Sequence, residues 1–317
     1  MRIVIFVCLS ALLLLAGYWV FSAAMIERQT TAVLANTPQL QGRAESVTGF
    51  PLAFRTAIDA PSWHSQDSQR GWQADSLALS APSYRPNDIA VMFPPVQQLR
   101  LGTAESRLTT EEMTAQLVVT RDLELRTAAL DLRAATLTPP LAVATLAAGQ
   151  IDLQWIADNR YSLQARAEAL RLSPEILTLF SDDSPGDAAL VEELAATATA
   201  RFAQPLPLQG PWPYPDALEI TEARLAWGAL QLTATGEIAR SPAGLLEGSL
   251  RLSVEDWHPL LALLQQHAIL PPDAAQMAGM FLATQAEPGT NRVTLPLELR
   301  DATLWLGPIA LLHLPAL

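Results

Sequence analysis

The sequence predicts a mainly β protein with α insertions, an α+β chain. Its strands form either a long curved antiparallel sheet or two stacked β-meander halves, behind one N-terminal transmembrane helix. Three observations predict it. Beyond Gly49 apolar residues alternate with polar ones at a period of two, as in QIDLQW and YSLQARAEALRL. Residues Ile3 to Met25 carry no charge. Helical spacing returns only in a few short stretches.

The bulk properties agree. A chain of 317 residues suffices for one large domain or two smaller ones. Half of it is hydrophobic and only 16% is charged, which excludes a disordered polymer. Net charge is −12, and all 20 basic residues are arginine, scattered along the chain. Without a basic patch, nucleic acid is excluded as a partner. The one cysteine, Cys8, permits no intrachain disulfide. Ile5-Phe6-Val7 ahead of it lack the small residues of a lipoprotein signal, so Cys8 reads as a membrane-buried apolar residue.

Taken in order, residues 1–25 read as a signal anchor. A helix over IVIFVCLSALLLLAGYWVFSAAM rises roughly 30 Å, the depth of a bilayer core. Arg2 keeps the short N-terminus cytoplasmic, and Tyr18, Trp19 and Phe21 fall where aromatic rings favour the interface. Ser22-Ala23-Ala24 offers a signal-peptidase alternative, but the apolar core exceeds the usual about 7–15 residues and bulky Trp19, Val20 and Phe21 precede the site. An uncleaved anchor is expected, in the bacterial inner membrane, with the C-terminal domain in the periplasm.

Residues 26–48 read as a helical stalk ended by Pro38. A first β-rich half then spans 49–204. In GFPLAFRTAID, the residues Phe50, Leu52, Phe54 and Ile58 are expected on one face of a strand. In LSAPSYRPNDIAVMFPPVQQL, Pro82 and Pro86 cannot donate to a ladder, so they bracket a loop, with a strand from Ile89 to Phe93 stopped by Pro94-Pro95. A strand–loop–strand hairpin is the structural reading; a ligand-facing role for Tyr84 and Arg85 is the functional one. MTAQLVVT and DLELRTAALDLRAATL continue the meander. Helices are expected near the end of this half, at SPEILTLF and DAALVEELAATATARF.

QPLPLQGPWPYP, with five prolines, makes 205–215 a stiff linker. Trp212 and Tyr214 within it are candidate partner contacts. A second β-rich half, 216–317, holds an inserted helical hairpin, DWHPLLALLQQHAIL and PPDAAQMAGMFLATQ, with Asp256 or His258 as the first cap. The two halves share a style, strands then a helical pair, which suggests an internal duplication.

No pattern calls for a catalytic residue, a cofactor or a metal. His258 and His267 are too far apart for a zinc helix, and the phosphate, dinucleotide and nucleophile-elbow motifs are missing. The acidic pairs Glu111-Glu112, Asp182-Asp183, Glu192-Glu193 and Glu255-Asp256 read as solvated charge or helix caps.

Gly49-Phe50-Pro51, Arg55, Trp72, Ala81-Pro82, Tyr84, Pro86 and Pro94 resemble the uncharacterised alphaproteobacterial family domain of unknown function 2125. The resemblance implies an inner-membrane-anchored periplasmic protein and implies no activity. LQLTATGEIARSPAGLLEGSLRLSVEDWHPLLALL is similar in rhythm to AsmA-like envelope proteins, which implies lipid movement between membranes. Three functions are therefore weighed. An apolar sheet face could take phospholipid and support envelope maintenance. A structural scaffold could bind envelope proteins. A periplasmic hydrolase, the least favoured, would need Ser65 or Ser83 near His64.

Overall fold

The computed structural model describes residues 2–313 apart from 38, 66, 68, 139–142, 173–189, 209–212, 242–243, 267–271 and 307–308. Side chains are further undescribed at 2–13, 15, 36, 143–144, 263–266, 272–275 and 309–313. The described chain is mainly β, and every paired strand described runs antiparallel to its neighbour. It divides into two units, Met1–Leu132 with Pro207–Pro211, and Arg133–Leu206 with Trp212–Leu317.

The first unit opens with helix α1 (Arg2–Asn36), followed by β1 (Leu40–Ala44) and the long strand β2 (Ala53–His64). Then come β3 (Arg70–Ala74), β4 (Ser76–Pro82), β5 (Asp88–Met92), β6 (Val96–Leu101), β7 (Ala104–Thr109), β8 (Glu112–Val119) and the start of β9 (Leu125–Leu137). Ala60, in the left-handed region at φ 46°, bends β2 ahead of Pro61. Before the bend β2 pairs with β4; after it, with β3. One ribbon continues from β4 through β5 to β8, the other from β3 through β6 to β7. The hairpin expected between the prolines is present: Leu79 pairs with Val91, and Ser83–Asn87 forms the turn.

One part of the strand expectation fails. Phe54 and Ile58 are buried on β2, but Phe50 and Leu52 stand exposed in a loop before it. Pro51 has no N–H to give a ladder, and its peptide bond with Phe50 is cis. Gly49 turns the chain there at φ 101°, where a Cβ would sit 2.7 Å from the Ala53 carbonyl oxygen.

The transmembrane expectation also changes. Among the described residues no helix is long and apolar enough to cross a membrane. The span 3–25 is not supported at that length, because α1 runs unbroken to Asn36 and its Tyr18 and Trp19 are hydrogen-bonded to the first unit.

The second unit is a plain meander. It follows β9 with β10 (Val143–Ala157), β11 (Arg160–Leu172), β12 (Leu190–Arg201), β13 (Ala217–Trp227), β14 (Leu230–Arg240) and β15 (Leu246–Val254). Helices α2 (Trp257–Gln266) and α3 (Pro272–Gln285) intervene before β16 (Val293–Arg300), β17 (Thr303–Leu306) and β18 (Ile309–His313). Tight turns set the hairpins. Asp158-Asn159 and Asp301-Ala302, all at positive φ, supply the twist that two-residue connections between strands prefer.

The described part of DAALVEELAATATARF is strand, not helix. Leu190–Arg201 pairs with β11 on one side and β13 on the other. Its Ala, Leu and Glu favour helix in isolation, but pairing along both edges overrides so weak a preference. SPEILTLF and Asp182-Asp183 lie outside the described residues.

The inserted helices are as expected. Trp257 and Leu282 pack with Leu230, Val254, Val293 and Leu295 into a core, and Gly279 lets Leu261 approach to where a Cβ would be 3.2 Å away. Asp256 is the cap: its Oδ1 accepts the His258 backbone N–H at 3.1 Å and lies 2.7 Å from His258 Nδ1. At the other end of the sheet Tyr161, fully buried, accepts the Leu206 N–H at 3.0 Å and meets Phe202 edge-on.

Two outcomes follow from these contacts. Tyr161→Phe leaves the Leu206 N–H without this partner and should cost ~1–3 kcal/mol by chemical denaturation. The bonds from His258 hold the Asp256 carboxyl below its ordinary value. A depressed carboxyl stabilises above its unfolded pKa and loses that contribution as pH falls through the folded one. Asp256→Ala should therefore cost about 1 kcal/mol near neutrality, and its melting temperature should converge on the parent's in acid.

Candidate functional site

Register decides which side chains share a surface. Ile151 pairs with Ala165, Ala165 with Ala196, Ala196 with Ala223, Ala223 with Ala234, Ala234 with Leu252, and Leu252 with Leu295. The adjacent row runs from Gln150 through Arg166, Ala195, Arg224, Thr233 and Ser253 to Thr294. Rows alternate in this way, so one face of the sheet is apolar and the other polar. A bulge preserves the alternation. β13 carries one extra residue between Ile220, opposite Ala198, and Ala223, opposite Ala196, which keeps both on the apolar face.

Cover over the apolar face is uneven. In the row of Leu194, Leu225, Leu232, Val254 and Val293, the last two are 0% exposed beneath α2 and α3, while Leu194 is 47% exposed. Ile151, one row along, is 46% exposed. Between the helical cover at β14–β16 and the Tyr161 corner, large aliphatic side chains therefore meet solvent on an otherwise apolar face.

The polar face holds a shallow groove of ≈ 280 Å³ around Asp152, Gln164, Arg166, Glu193, Glu222 and Arg224. Its cations are already paired. Arg166 bridges Glu168 at 2.9 Å and Glu193 at 3.0 Å, and Arg224 bridges Glu222 at 2.8 Å. Such half-exposed pairs contribute little stability each and leave neither arginine of the groove free to hold an anion, while Asp152 adds a further carboxylate.

In the first unit the family-like motif residues gather where α1 meets β2. Trp19 Nε1 donates to the Ala53 carbonyl at 3.0 Å, and its ring stacks on Phe54 and meets Phe50 edge-on. Tyr18 donates to the Ser83 carbonyl at 3.0 Å. Ser83 Oγ in turn donates to the Pro51 carbonyl at 2.8 Å, and its backbone N–H to Leu52. Helix, Gly49–Leu52 loop and Ser83–Asn87 turn are thus one bonded unit. Tyr84 (78%) and Leu52 (76%) protrude from it, flanked by exposed Arg55 and Arg85. Trp72 and Pro94 have another role: Trp72 Nε1 donates to buried Gln97 at 2.7 Å, and Gln97 Nε2 donates to the Pro94 carbonyl at 3.3 Å. Nothing in the sequence pattern pointed to the Trp19–Ala53 and Tyr18–Ser83 contacts.

The hydrolase candidates are not brought together. Ser65 Oγ donates to Asp67 and accepts the Arg70 N–H, which closes a turn and holds the Asp67 carboxyl below its ordinary value. His64 Nδ1 faces the Ser65 carbonyl, not its hydroxyl. Ser83 is committed to Pro51. The acidic pairs serve locally as well: Glu192 caps Gly228, Glu193 holds Arg166, and Glu255 holds Arg292. Among the described residues no group of His, Cys, Asp and Glu could hold a metal ion. Tyr214 of the proline-rich stretch lies under the Arg240 guanidinium, 4.9 Å from it. Trp212, His267 and the His313 side chain lie outside the described residues.

This mainly β chain belongs to a family described as an uncharacterized protein conserved in bacteria, domain of unknown function 2125, whose match covers residues 19–315. Comparison with curated proteins and with solved structures finds no match.

The junction gives a sharp test. Trp19→Ala removes a hydrogen bond and two aromatic contacts and should cost about 2 kcal/mol or more. Trp19→Phe, which keeps an aromatic ring but loses the N–H donor, should cost about 1 kcal/mol. Hydrogen exchange at β2 and β4 in both variants separates the two effects.

Proposed function

We propose that this chain is a membrane-anchored, periplasmic lipid-handling protein of the bacterial inner membrane, with the apolar sheet face of its second unit taking phospholipid acyl chains. The observation that carries the reading is the half-exposure of Ile151 and Leu194 within rows that are otherwise apolar. A face of this kind is left open at a cost, since each half-exposed aliphatic side chain forgoes part of the roughly 1.5–3 kcal/mol that full burial brings. Acyl chains recover that free energy without asking for directed polar groups. The anchor is the uncharged start of α1, with Arg2 on the cytoplasmic side. The AsmA-like strand rhythm supports the same reading by pattern alone.

A scaffold that binds envelope proteins is the second reading. Met277, Met280 and Phe281 favour it, because they stand exposed at helical spacing along α3.

Full-length protein extracted in mild detergent should carry phospholipid at a fixed stoichiometry in native mass spectrometry. Ile151→Asp with Leu194→Asp should remove the lipid in protein that still melts cooperatively. Lipid-free parent protein, or lipid retained by the double variant, would sink the acyl-chain reading.

A further inference from the structure

The geometry points to a second lipid contact, separate from the sheet face. The Gly49–Leu52 loop and Ser83–Asn87 turn of the first unit rest in the bilayer interface, so the domain sits flush on the membrane rather than standing off on a stalk. This inference rests on the anchoring part of the reading above and is independent of acyl-chain binding by the second unit.

Tyr18 and Trp19 are bonded to the Ser83 and Ala53 carbonyls, so α1 is held by the domain from residue 18 onward. The uncharged run left free, Ile3 to Gly17, rises about 22 Å as helix. A hydrocarbon core is about 30 Å deep. A run that short reaches across only if the bilayer thins or the docked end sinks to the apolar boundary.

Whatever surrounds Trp19 must then tolerate the interface, and its composition is suited to it. Phe21 (67% exposed), Phe50 (50%), Leu52 (76%) and Tyr84 (78%) present aliphatic and aromatic surface around the docking point. Arg55 and Arg85 flank them, exposed and with no ion pair described. Aromatic rings and arginines are the side chains that settle at headgroup depth, the rings by their amphipathic bodies and the arginines by reaching anionic phosphates. The path of α1 fits as well. After Trp19 the helix continues to Asn36, and β1 behind it pairs Leu40 with Trp63 at the far end of β2. The start of α1 and the two loops therefore share one end of the unit. Gln69, beyond the other end of β2, marks the opposite side.

The test uses the full chain with Cys8→Ala, so that one introduced cysteine carries an environment-sensitive fluorophore. Leu52→Cys and Tyr84→Cys report on the loops, and Gln69→Cys is the distal control; all three positions are exposed. Protein is reconstituted in phosphatidylcholine–phosphatidylglycerol vesicles containing lipids with a nitroxide at headgroup or shallow acyl depth. Quenching severalfold stronger at both loop positions than at Gln69 is expected. Loop quenching equal to the control, in protein that floats with the vesicles and resists carbonate extraction, overturns the flush seat and leaves the anchor standing. Protein that fails to float overturns both.

Discussion

The second unit depends on one constraint: side chains on a strand alternate between faces, and paired strands must alternate in step. Seven successive strands, β10 to β16, keep Ile151, Ala165, Ala196, Ala223, Ala234, Leu252 and Leu295 in one row. A slip of one residue anywhere would turn the rest of that strand's apolar set toward the polar face. The extra residue in β13 shows the constraint at work. ITEARL breaks the period of two, and the bulge absorbs the break so that Ile220 and Ala223 still face the same way. Everything that distinguishes this unit, including its open aliphatic patch and its ion-paired polar groove, is a consequence of two faces kept strictly apart.

Partial cover is what turns that architecture into a surface. Helices α2 and α3 bury Val254 and Val293 completely, and the Phe202–Leu206 segment closes over Tyr161. Both ends of the apolar face thereby gain a conventional core. Ile151 and Leu194 lie between them. The first unit shows the same economy of contact: one indole, Trp19, both bonds and stacks, and around it a loop and a turn hold their apolar side chains outward.

Polar chemistry in the described residues is directed inward to the fold. The hydroxyls of Ser65 and Ser83 close turns, Asp256 caps a helix, and Glu193, Glu222 and Glu255 neutralise arginines. Ile151, Leu194, Leu52 and Tyr84 are among the apolar and aromatic side chains left exposed. The proposed lipid contacts draw on these surfaces, where area and interfacial character matter more than directed bonds.

How much of this could be read from the chain differs by element. The strands, the Asp256 cap and the proline-bracketed turn were legible, because periodicity and proline's missing donor act locally. Residues Leu190–Arg201 were not: alanine and leucine favour helix locally, and only edge pairing with β11 and β13 makes the segment a strand. Phe50 and Leu52 look like strand residues until Gly49 and Pro51 turn the chain away. The Trp19–Ala53 and Tyr18–Ser83 contacts join residues 34 and 65 apart, a separation at which no periodic signal survives. By itself the sequence determined an amphipathic, antiparallel β protein behind an apolar helix, since those properties follow from neighbours two or four residues away. Tertiary structure alone decided how far that helix stays free of the domain and which apolar side chains are left uncovered, since both depend on what distant segments pack against.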